Sequence, residues 1–285
     1  LFNIVERGSA SYDRIEELLT TPIEMEDQES ALDIKPNGAL IFNVQSFTFP
    51  GEAVTTLKNV AFELQAGETL GIVGRTGSGK TAILKLLLRQ FDQYDGEITY
   101  GGISIEEYKK ERLREAIGYV PQDHFLFSTT VANNIAFSNE HASLEQVERA
   151  AKIAHIHEDI MRFSEGYDTV VGERGVALSG GQKQRISIAR ALMMEPNLLI
   201  LDDSLSAVDA KTEEAILQSL KAERANATTI ITSHRLSAIQ HANVILFMED
   251  GTVAEKGTHE ELMALKGRYY EMYKLQQLEQ LVERG

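Results

Sequence analysis

The sequence of 285 residues contains no cysteine, no long apolar run and few basic side chains. Without cysteine the chain cannot form disulfide bonds, and its composition is compatible with a reducing cytosol. No apolar segment approaches the roughly 20 residues that a membrane-spanning helix needs, and no signal peptide is visible. These absences exclude a disulfide-stabilised fold and argue against a membrane span within the sequence.

The net charge is acidic, because 28 Lys and Arg residues face 43 Asp and Glu residues, a formal balance of −15. Such a balance is a poor match for a nucleic-acid-binding protein, although a local basic patch is compatible with it. Hydrophobic residues make up 43% of the chain, enough for one substantial core with or without a small subdomain. Since the chain begins with Leu1 and not with methionine, we expect a piece of a longer protein.

A glycine-rich stretch lies between a predicted strand at 69–73 and a predicted helix at 82–88. It consists of Gly74, Arg75, Thr76, Gly77, Ser78, Gly79, Lys80 and Thr81. These eight residues match the phosphate-binding loop pattern G-x-x-x-x-G-K-[ST]. We expect Lys80 to reach the β- and γ-phosphates of a nucleotide and the Thr81 hydroxyl to bind Mg²⁺. A plain glycine turn with a chance lysine is the alternative, and the strand–loop–helix context disfavours it.

The remaining pattern predicts an α/β fold. Residues 39–49 and 60–64 have strand-like composition, and the unbroken apolar runs at 198–201 and 228–232 are typical of buried parallel strands. Between them, residues 143 to about 163 have a helical pattern throughout. We predict a P-loop NTPase core with a mainly parallel sheet, an antiparallel β edge subdomain and an inserted α-helical subdomain within about 122–195.

Three segments organise the chain. Residues 1–20 are predicted to be helical, and Thr21-Pro22 ends that helix. Residues 21–38 are predicted to be a linker, since 24–29 are acidic and have little core character. Residues 39–285 then form the predicted nucleotide-binding domain.

Polar side chains follow three of the predicted strands. Gln122 follows the first, Asp202 and Asp203 the second, and His234 the third. Ligands of an open parallel sheet bind beyond the carboxyl ends of its strands, so we expect these side chains to meet the phosphate loop. Asp202 is the predicted Mg²⁺ ligand, because this ion prefers hard oxygen donors.

A second glycine-containing stretch opens a predicted helix. It comprises Ser179, Gly180, Gly181 and Gln182. Ser179 is suited to cap the helix, and the glycines would let the backbone approach an anion at the helix N-terminus. The residues alone leave an anion site and an ordinary glycine turn equally open.

Residues 178–185 resemble the signature motif of the ATP-binding cassette (ABC) family, and the resemblance extends from about residue 39 onward. Residues 74–81 and 198–202 resemble the family's Walker A and Walker B motifs, and 206–209 resemble its D-loop. Gln122 lies at the Q-loop position, His234 at the H-loop position, and Phe49 at the position of an aromatic that stacks on adenine. The resemblance implies ATP and Mg²⁺ as ligands, with Thr81, Gln122 and Asp202 organising the metal ion.

Two further segments resemble those of ABC exporters. Residues 169–175 resemble a segment that marks exporters, and 14–19 resemble the cytoplasmic end of an exporter's last transmembrane helix. This implies the nucleotide-binding domain of a half-transporter at the cytoplasmic face of the cell membrane, with its transmembrane domain upstream. The resemblance also implies a second nucleotide-binding domain as partner, whose site Ser179 and Gly181 would complete.

Asp203 departs from the family, which usually has a glutamate general base here. Aspartate is one methylene shorter, and a misplacement of about 1 Å can cost on the order of 100-fold in rate. Some family members are bacterial multidrug exporters in which one subunit carries this aspartate and the partner supplies the glutamate. We therefore expect tight ATP binding, slow hydrolysis and a heterodimer that exports drugs or lipids.

Three alternatives remain open from the sequence. They are a homodimeric exporter with slow hydrolysis by Asp203, a soluble ABC ATPase outside transport, and a nucleotide sensor without hydrolysis. Soluble ABC ATPases of the DNA-repair or ribosome-associated kind carry long coiled-coil insertions or tandem cassettes, and neither is visible here.

Overall fold

The computed structural model describes residues 9, 11–16, 19–20, 25–139, 141–172, 176–224 and 227–284. Ten strands are described: β1 (Leu40–Phe47), β2 (Leu57–Leu64), β3 (Thr69–Gly74), β4 (Tyr94–Tyr100), β5 (Ile103–Ser104), β6 (Ile117–Val120), β7 (Leu198–Asp202), β8 (Thr228–Ser233), β9 (Val244–Glu249) and β10 (Thr252–Gly257). They form two sheets.

The larger sheet has six strands in the order β10-β9-β3-β8-β7-β6. Neighbouring strands from β9 to β6 pair in parallel, while β10 forms an antiparallel hairpin with β9. All residues of β7 and β8 are buried, as expected of parallel strands covered on both faces. The predicted mainly parallel sheet is confirmed.

The smaller sheet is antiparallel, with strand order β2-β1-β4-β5. Buried and exposed residues alternate along much of β1 and β2, which gives the sheet one core-facing side. Asp95 and Gly96 form a pair that is typical of hairpin turns, yet both lie within β4. A register shift between Val44 and Ser46 of β1 accommodates them without ending the pairing.

The α-helices between residues 80 and 284 are α1 (Lys80–Leu87), α2 (Lys110–Glu115), α3 (Val131–Ile135), α4 (Leu144–Ile153), α5 (His157–Ile160), α6 (Gly180–Leu192), α7 (Ala210–Glu223), α8 (His259–Leu265) and α9 (Arg268–Arg284). Short 3₁₀ turns cover Ile105–Glu107, Ala136–Ser138, Gly166–Asp168 and Leu236–Ala238. Helices α3 to α6 pack together in the segment between β6 and β7, where an inserted helical subdomain was predicted.

The predicted helical segment 143–163 is not one continuous helix, because it is divided into α4 and α5. Helix α4 ends at Ile153, His155 adopts a left-handed conformation with φ of 52°, and α5 starts at His157. The Ile156 N–H closes the end of α4 by donating to the Ala151 carbonyl at 2.9 Å. This reversal buries Ile156 fully in the core, which a continued α4 would not require.

The N-terminal segment is described in part. Residues 11–16 are helical and exposed, whereas 1–8, 10, 17–18 and 21–24, with the predicted stop at Thr21-Pro22, lie outside the described residues. The predicted linker packs on the domain from residue 25 onward. The Asp27 carboxylate accepts hydrogen bonds from Arg89 at 3.3 Å and from the Lys110 N–H at 3.1 Å. Within the described part of the chain, no helix combines the length and apolar composition of a bilayer span.

Candidate nucleotide-binding site

The phosphate loop connects β3 to α1 at the carboxyl edge of the parallel sheet. Gly74 has φ of 158°, and a Cβ there would lie 2.3 Å from the Met248 carbonyl oxygen, so a larger residue does not fit. The N-cap residue of α1, Gly79, has no capping side chain. The Ala82 and Ile83 N–H groups donate to the Gly79 carbonyl at 3.1 and 3.3 Å, so the N–H groups of Lys80 and Thr81 are the ones that can face an anion at the helix start.

Lys80 lies back across this loop. Its side chain is 8% exposed, and Nζ donates hydrogen bonds to the carbonyl oxygens of Gly74 at 2.7 Å and Arg75 at 2.9 Å. Burial lowers the pKa of Lys80, while the nearby carboxylates of Asp203 and Asp202 oppose that shift. The structure thus brings the loop lysine and both predicted aspartates together.

Other loop residues also suit a phosphate. The Ser78 side chain is buried, and its Oγ has no hydrogen-bond partner among the described residues, which is unusual for a buried hydroxyl. Arg75, Thr76, Gly77 and Thr81 are exposed around it. An unpaired buried donor beside an uncapped helix N-terminus fits a polyphosphate with its counter-ion.

Asp202 ends β7 and is held by both neighbouring strands. The Thr232 hydroxyl on β8 donates to Oδ1 at 2.6 Å, and the Tyr119 hydroxyl on β6 donates to Oδ2 at 3.0 Å. Each carboxylate oxygen keeps lone-pair capacity for a hard cation. Sequence reasoning missed Tyr119 and Thr232, although both precede predicted site residues by two or three positions.

Asp203 follows in a left-handed conformation with φ of 47°. Its N–H donates to the carbonyl and the hydroxyl oxygens of Thr232, at 3.0 and 3.1 Å. Burial raises the pKa of Asp203, while the charge of His234 and a hydrogen bond from the His234 N–H oppose that rise. Asp203 and His234 therefore lie side by side, as predicted from their positions after β7 and β8.

Gln122 and Phe49 flank this centre. Gln122 is exposed two residues beyond β6, the strand next to β7. The Phe49 ring meets Phe47 and Phe91 edge to face, with centroid distances of 4.9 and 5.3 Å. Lys85 Nζ on α1 lies 5.2 Å from the Phe49 ring centroid, which places the ring beside the phosphate-loop helix.

The signature residues form a second cluster at the N-terminus of α6. As predicted, Ser179 is the N-cap: its Oγ accepts from the Gln182 N–H at 3.2 Å, and the Gln182 Oε1 accepts from the Ser179 N–H at 3.0 Å. Gly181 approaches the D-loop closely, because a Cβ there would lie 2.9 Å from the Ala207 oxygen. A side chain at this position would push the two segments apart.

Asp159 fastens this helix to α5, and sequence reasoning missed it. Its Oδ1 accepts from Gln182 Nε2 at 3.1 Å, and its Oδ2 accepts from Arg185 Nη1 at 2.8 Å. Burial alone would raise the pKa of Asp159, but these two hydrogen bonds outweigh it and lower the pKa. The signature helix is thus held by a carboxylate from outside the motif.

Comparison with known proteins decides the family. Residues 57–206, more than half of the chain, match the family described as ABC transporter. The chain belongs to the ABC transporter family. The predicted α/β fold, the P-loop NTPase core and the assignment to the ATP-hydrolysing domains of ABC transporters are confirmed.

Two relatives and one solved structure place the chain more closely. It is 50% identical to a probable multidrug resistance ABC transporter ATP-binding/permease protein, YheI, of Bacillus subtilis, over 98% of this chain and 48% of the relative. It is 46% identical to the multidrug resistance-like ATP-binding protein MdlA of Escherichia coli, over 98% and 47%. A bacterial Atm1-family ABC exporter with ATP bound superimposes with a TM-score of 0.89 at 38% identity, over 96% of this chain and 48% of that chain. The chain spans about half the length of these proteins and resembles the nucleotide-binding domains of exporters.

Proposed function

We propose that the chain binds ATP with Mg²⁺ and hydrolyses it slowly, as the nucleotide-binding domain of an exporter half-transporter. The observation that carries this proposal is Asp203, which follows Asp202 at the end of β7 and contacts His234 beside Lys80. The general-base position is therefore occupied by a carboxylate with one methylene less reach than glutamate. The low rate follows from that reach, because proton transfer requires a heavy-atom distance of roughly 2.6–3.2 Å.

The described residues have distinct proposed roles. Lys80 and the first N–H groups of α1 hold the phosphates, and His234 contacts the terminal one. Thr81, Gln122 and Asp202 would hold Mg²⁺, which neutralises charge on the phosphate oxygens when bound. The carboxylate of Asp203 accepts the proton of the attacking water. Phe49 stacks on adenine, and phenylalanine suffices because stacking needs only an aromatic face.

A second nucleotide-binding domain is the proposed partner, with Ser179 and Gly181 completing its site. Two features support a partner of different sequence. Asp203 weakens the chain's own hydrolytic site, whereas the signature cluster that would serve the partner's site is fully formed and capped. A partner that supplies a glutamate would then provide the competent site. A homodimer with slow hydrolysis by Asp203 is the alternative. The multidrug-related names of YheI and MdlA support drugs, with lipids also open, as the exported substrates.

An exposed aromatic patch supports docking to a transmembrane domain at the cytoplasmic face of the membrane. Phe125 is 67% exposed and Phe137 is 60% exposed. Phe127 lies between them, 5.0 Å from the Phe125 centroid and 4.5 Å from the Phe137 centroid. Phe125 lies three residues after Gln122 in the chain, so movement at the nucleotide would reach the patch over a short path. We propose that Gln122 and residues 169–175 transmit this movement; residues 173–175 lie outside the described residues.

Equilibrium binding of Mg-ATP tests the nucleotide site. We expect the chain to bind Mg-ATP and Lys80→Ala to weaken binding by at least about 10-fold, because a buried charge-assisted contact to phosphate is lost. Lys58→Ala is the matched control, since Lys58 is exposed on β2. Wild-type binding by Lys80→Ala, or no binding by the unmodified chain, would refute the assignment.

A further inference from the structure

The segment that carries His234 is held by the C-terminal helix. Gln276 on α9 reaches back 42 residues in sequence, and its Nε2 donates to the His234 carbonyl oxygen at 2.6 Å. Its Oε1 accepts from the Leu236 N–H at 3.0 Å. A backbone carbonyl can only accept and a backbone N–H can only donate, so these two contacts set the orientation of the amide.

The same segment is held on its other side by Arg235. The guanidinium donates to the carbonyl oxygens of Leu205 and Val208, the latter at 3.1 Å, and pairs with the buried carboxylate of Glu213 at 2.9 Å. Arg235 thus ties the segment to the D-loop and to α7. Gln276 is the complementary contact, from α9.

The two backbone polar groups of His234 have different partners. Its N–H lies near the Asp203 carboxylate, and its carbonyl accepts from Gln276 Nε2 at 2.6 Å. The Gln276 bond therefore restrains the carbonyl side of the His234 backbone, next to the Cα that carries the imidazole. Loss of the Gln276 bond would free the carbonyl side while the Asp203 contact remained.

Helix α9 does not depend on Gln276 for its attachment. Tyr269 is fully buried, and its hydroxyl contacts His259 Nδ1 at 2.7 Å. The His259 ring also lies 5.2 Å from the ring of Tyr273. A substitution of Gln276 can therefore be examined in a chain whose C-terminal helix remains docked.

We propose that Gln276 is a positioning residue for ATP hydrolysis, which holds the His234 backbone so that the imidazole and the Asp203 contact keep their places. This inference rests on the proposed function, in which His234 contacts the terminal phosphate. It gives α9 a part in hydrolysis through the backbone of His234.

The variants separate the two hydrogen bonds. Gln276→Met keeps the length of the side chain and removes both bonds, whereas Gln276→Glu keeps the acceptor for Leu236 and removes the donor to His234. Gln277→Met is the matched control, because Gln277 is exposed on the same helix. We call the two hydrogen bonds of Gln276 to His234 and Leu236 the Gln276 clamp. Hydrogen exchange of the Leu236 amide without nucleotide measures the clamp itself. Single-turnover hydrolysis of ATP measures the effect of the clamp on the reaction rate.

We expect Gln276→Met to speed exchange of the Leu236 amide by about 10-fold, because the Leu236 N–H loses its hydrogen bond to the Gln276 Oε1. Gln276→Glu should retain more of that protection, and Gln277→Met should retain all of it. The hydrolysis rate of Gln276→Met should fall several-fold with the KM for ATP nearly unchanged. In a His234→Ala background the same substitution should have no further effect on the rate.

Two results would overturn the inference. Unchanged exchange of the Leu236 amide in Gln276→Met would show that the side chain of Gln276 does not hold this segment, whatever the rate of hydrolysis. Faster exchange with an unchanged hydrolysis rate, or an equal rate loss in the His234→Ala background, would show that Gln276 does not position His234 for hydrolysis. A wild-type chain without hydrolysis would instead refute the proposed function, and the exchange result would still report on the clamp.

Discussion

The hydroxyl of Thr232 donates a 2.6 Å hydrogen bond to Oδ1 of Asp202 across two neighbouring parallel strands. The two residues are register partners in β8 and β7, so the bond follows directly from strand pairing. Thr232 also accepts from the Asp203 N–H, through both its hydroxyl and its carbonyl oxygen. One buried threonine therefore orients the predicted metal ligand and the predicted base together.

Thr232→Val is expected to disturb both aspartates without changing the volume of the core. The substitution leaves the buried Oδ1 of Asp202 without its donor, which costs about 1–3 kcal/mol in the free energy of unfolding. Mg-ATP affinity should fall by about 10-fold, since the carboxylate loses its fixed orientation. Chemical denaturation and equilibrium binding check the two effects.

Thr229→Val provides the control for this prediction. Thr229 lies on β8 three positions earlier and therefore points to the opposite face of the strand. Its substitution should leave Mg-ATP affinity unchanged. Equal losses of affinity in the two variants would show that the hydrogen bond to Asp202 has no special role.

Asp159→Asn should loosen the signature helix. The substitution removes the negative charge that accepts hydrogen bonds from Arg185 and Gln182, and the free energy of unfolding should fall by about 1–2 kcal/mol at neutral pH. Because these bonds lower the pKa of Asp159, the stability that they add is present above the usual aspartate pKa and disappears as the pH falls through the lowered one. The free energies of unfolding of the wild type and Asp159→Asn should therefore converge in acid, which urea titrations at several pH values would measure.

Glu158→Gln is the control, because Glu158 is an exposed neighbour of Asp159. It should have little effect on the free energy of unfolding. A similar loss of stability in Glu158→Gln would argue against the network around Asp159.

Asp203→Asn should make the chain more stable and less active. Burial raises the pKa of Asp203, so its charged form is disfavoured in the folded state and reduces stability at neutral pH. The thermal midpoint of the asparagine variant should exceed that of the wild type near neutral pH. The difference should shrink once the pH falls below the raised pKa and vanish below the usual aspartate pKa. Hydrolysis by the wild type should lose rate over the same acidic range, because a protonated carboxyl cannot accept a proton.

Asp209→Asn is expected to change the thermal midpoint in the opposite direction to Asp203→Asn. Hydrogen bonds from Thr212 lower the pKa of Asp209, so Asp209→Asn should reduce the thermal midpoint near neutral pH. A lower midpoint in Asp203→Asn as well would mean that the Asp203 charge stabilises the fold, contrary to the expected cost of its burial.

Local motifs carried most of what could be predicted. The phosphate loop, the apolar strands that precede Asp202 and His234, and the serine cap of α6 each depend on residues close in sequence. The contacts that orient them do not. Thr232 and Tyr119 reach Asp202 only through strand register, and Gln276 reaches His234 across 42 residues.

The structure differed from prediction where long-range packing overrides local preference. The helical pattern of residues 143–163 continues through His155, but burial of Ile156 breaks it there. The acidic segment near Asp27 has the composition of a solvated linker, yet its carboxylate pairs with Arg89, whose side chain is almost fully buried. Neither the burial of Ile156 nor the pairing of Asp27 with Arg89 can be identified from the local composition of the sequence.

We propose that residue 203 limits the rate of hydrolysis, and steady-state Mg-ATP turnover measures whether it does. The wild type, Asp203→Glu and the Asp203→Asn baseline would be compared at the same high protein concentration. Asp203→Glu should turn over ATP at least about 10-fold faster than the wild type, because the added methylene brings the carboxylate within reach of the water. Equal turnover of the wild type and Asp203→Glu would contradict it.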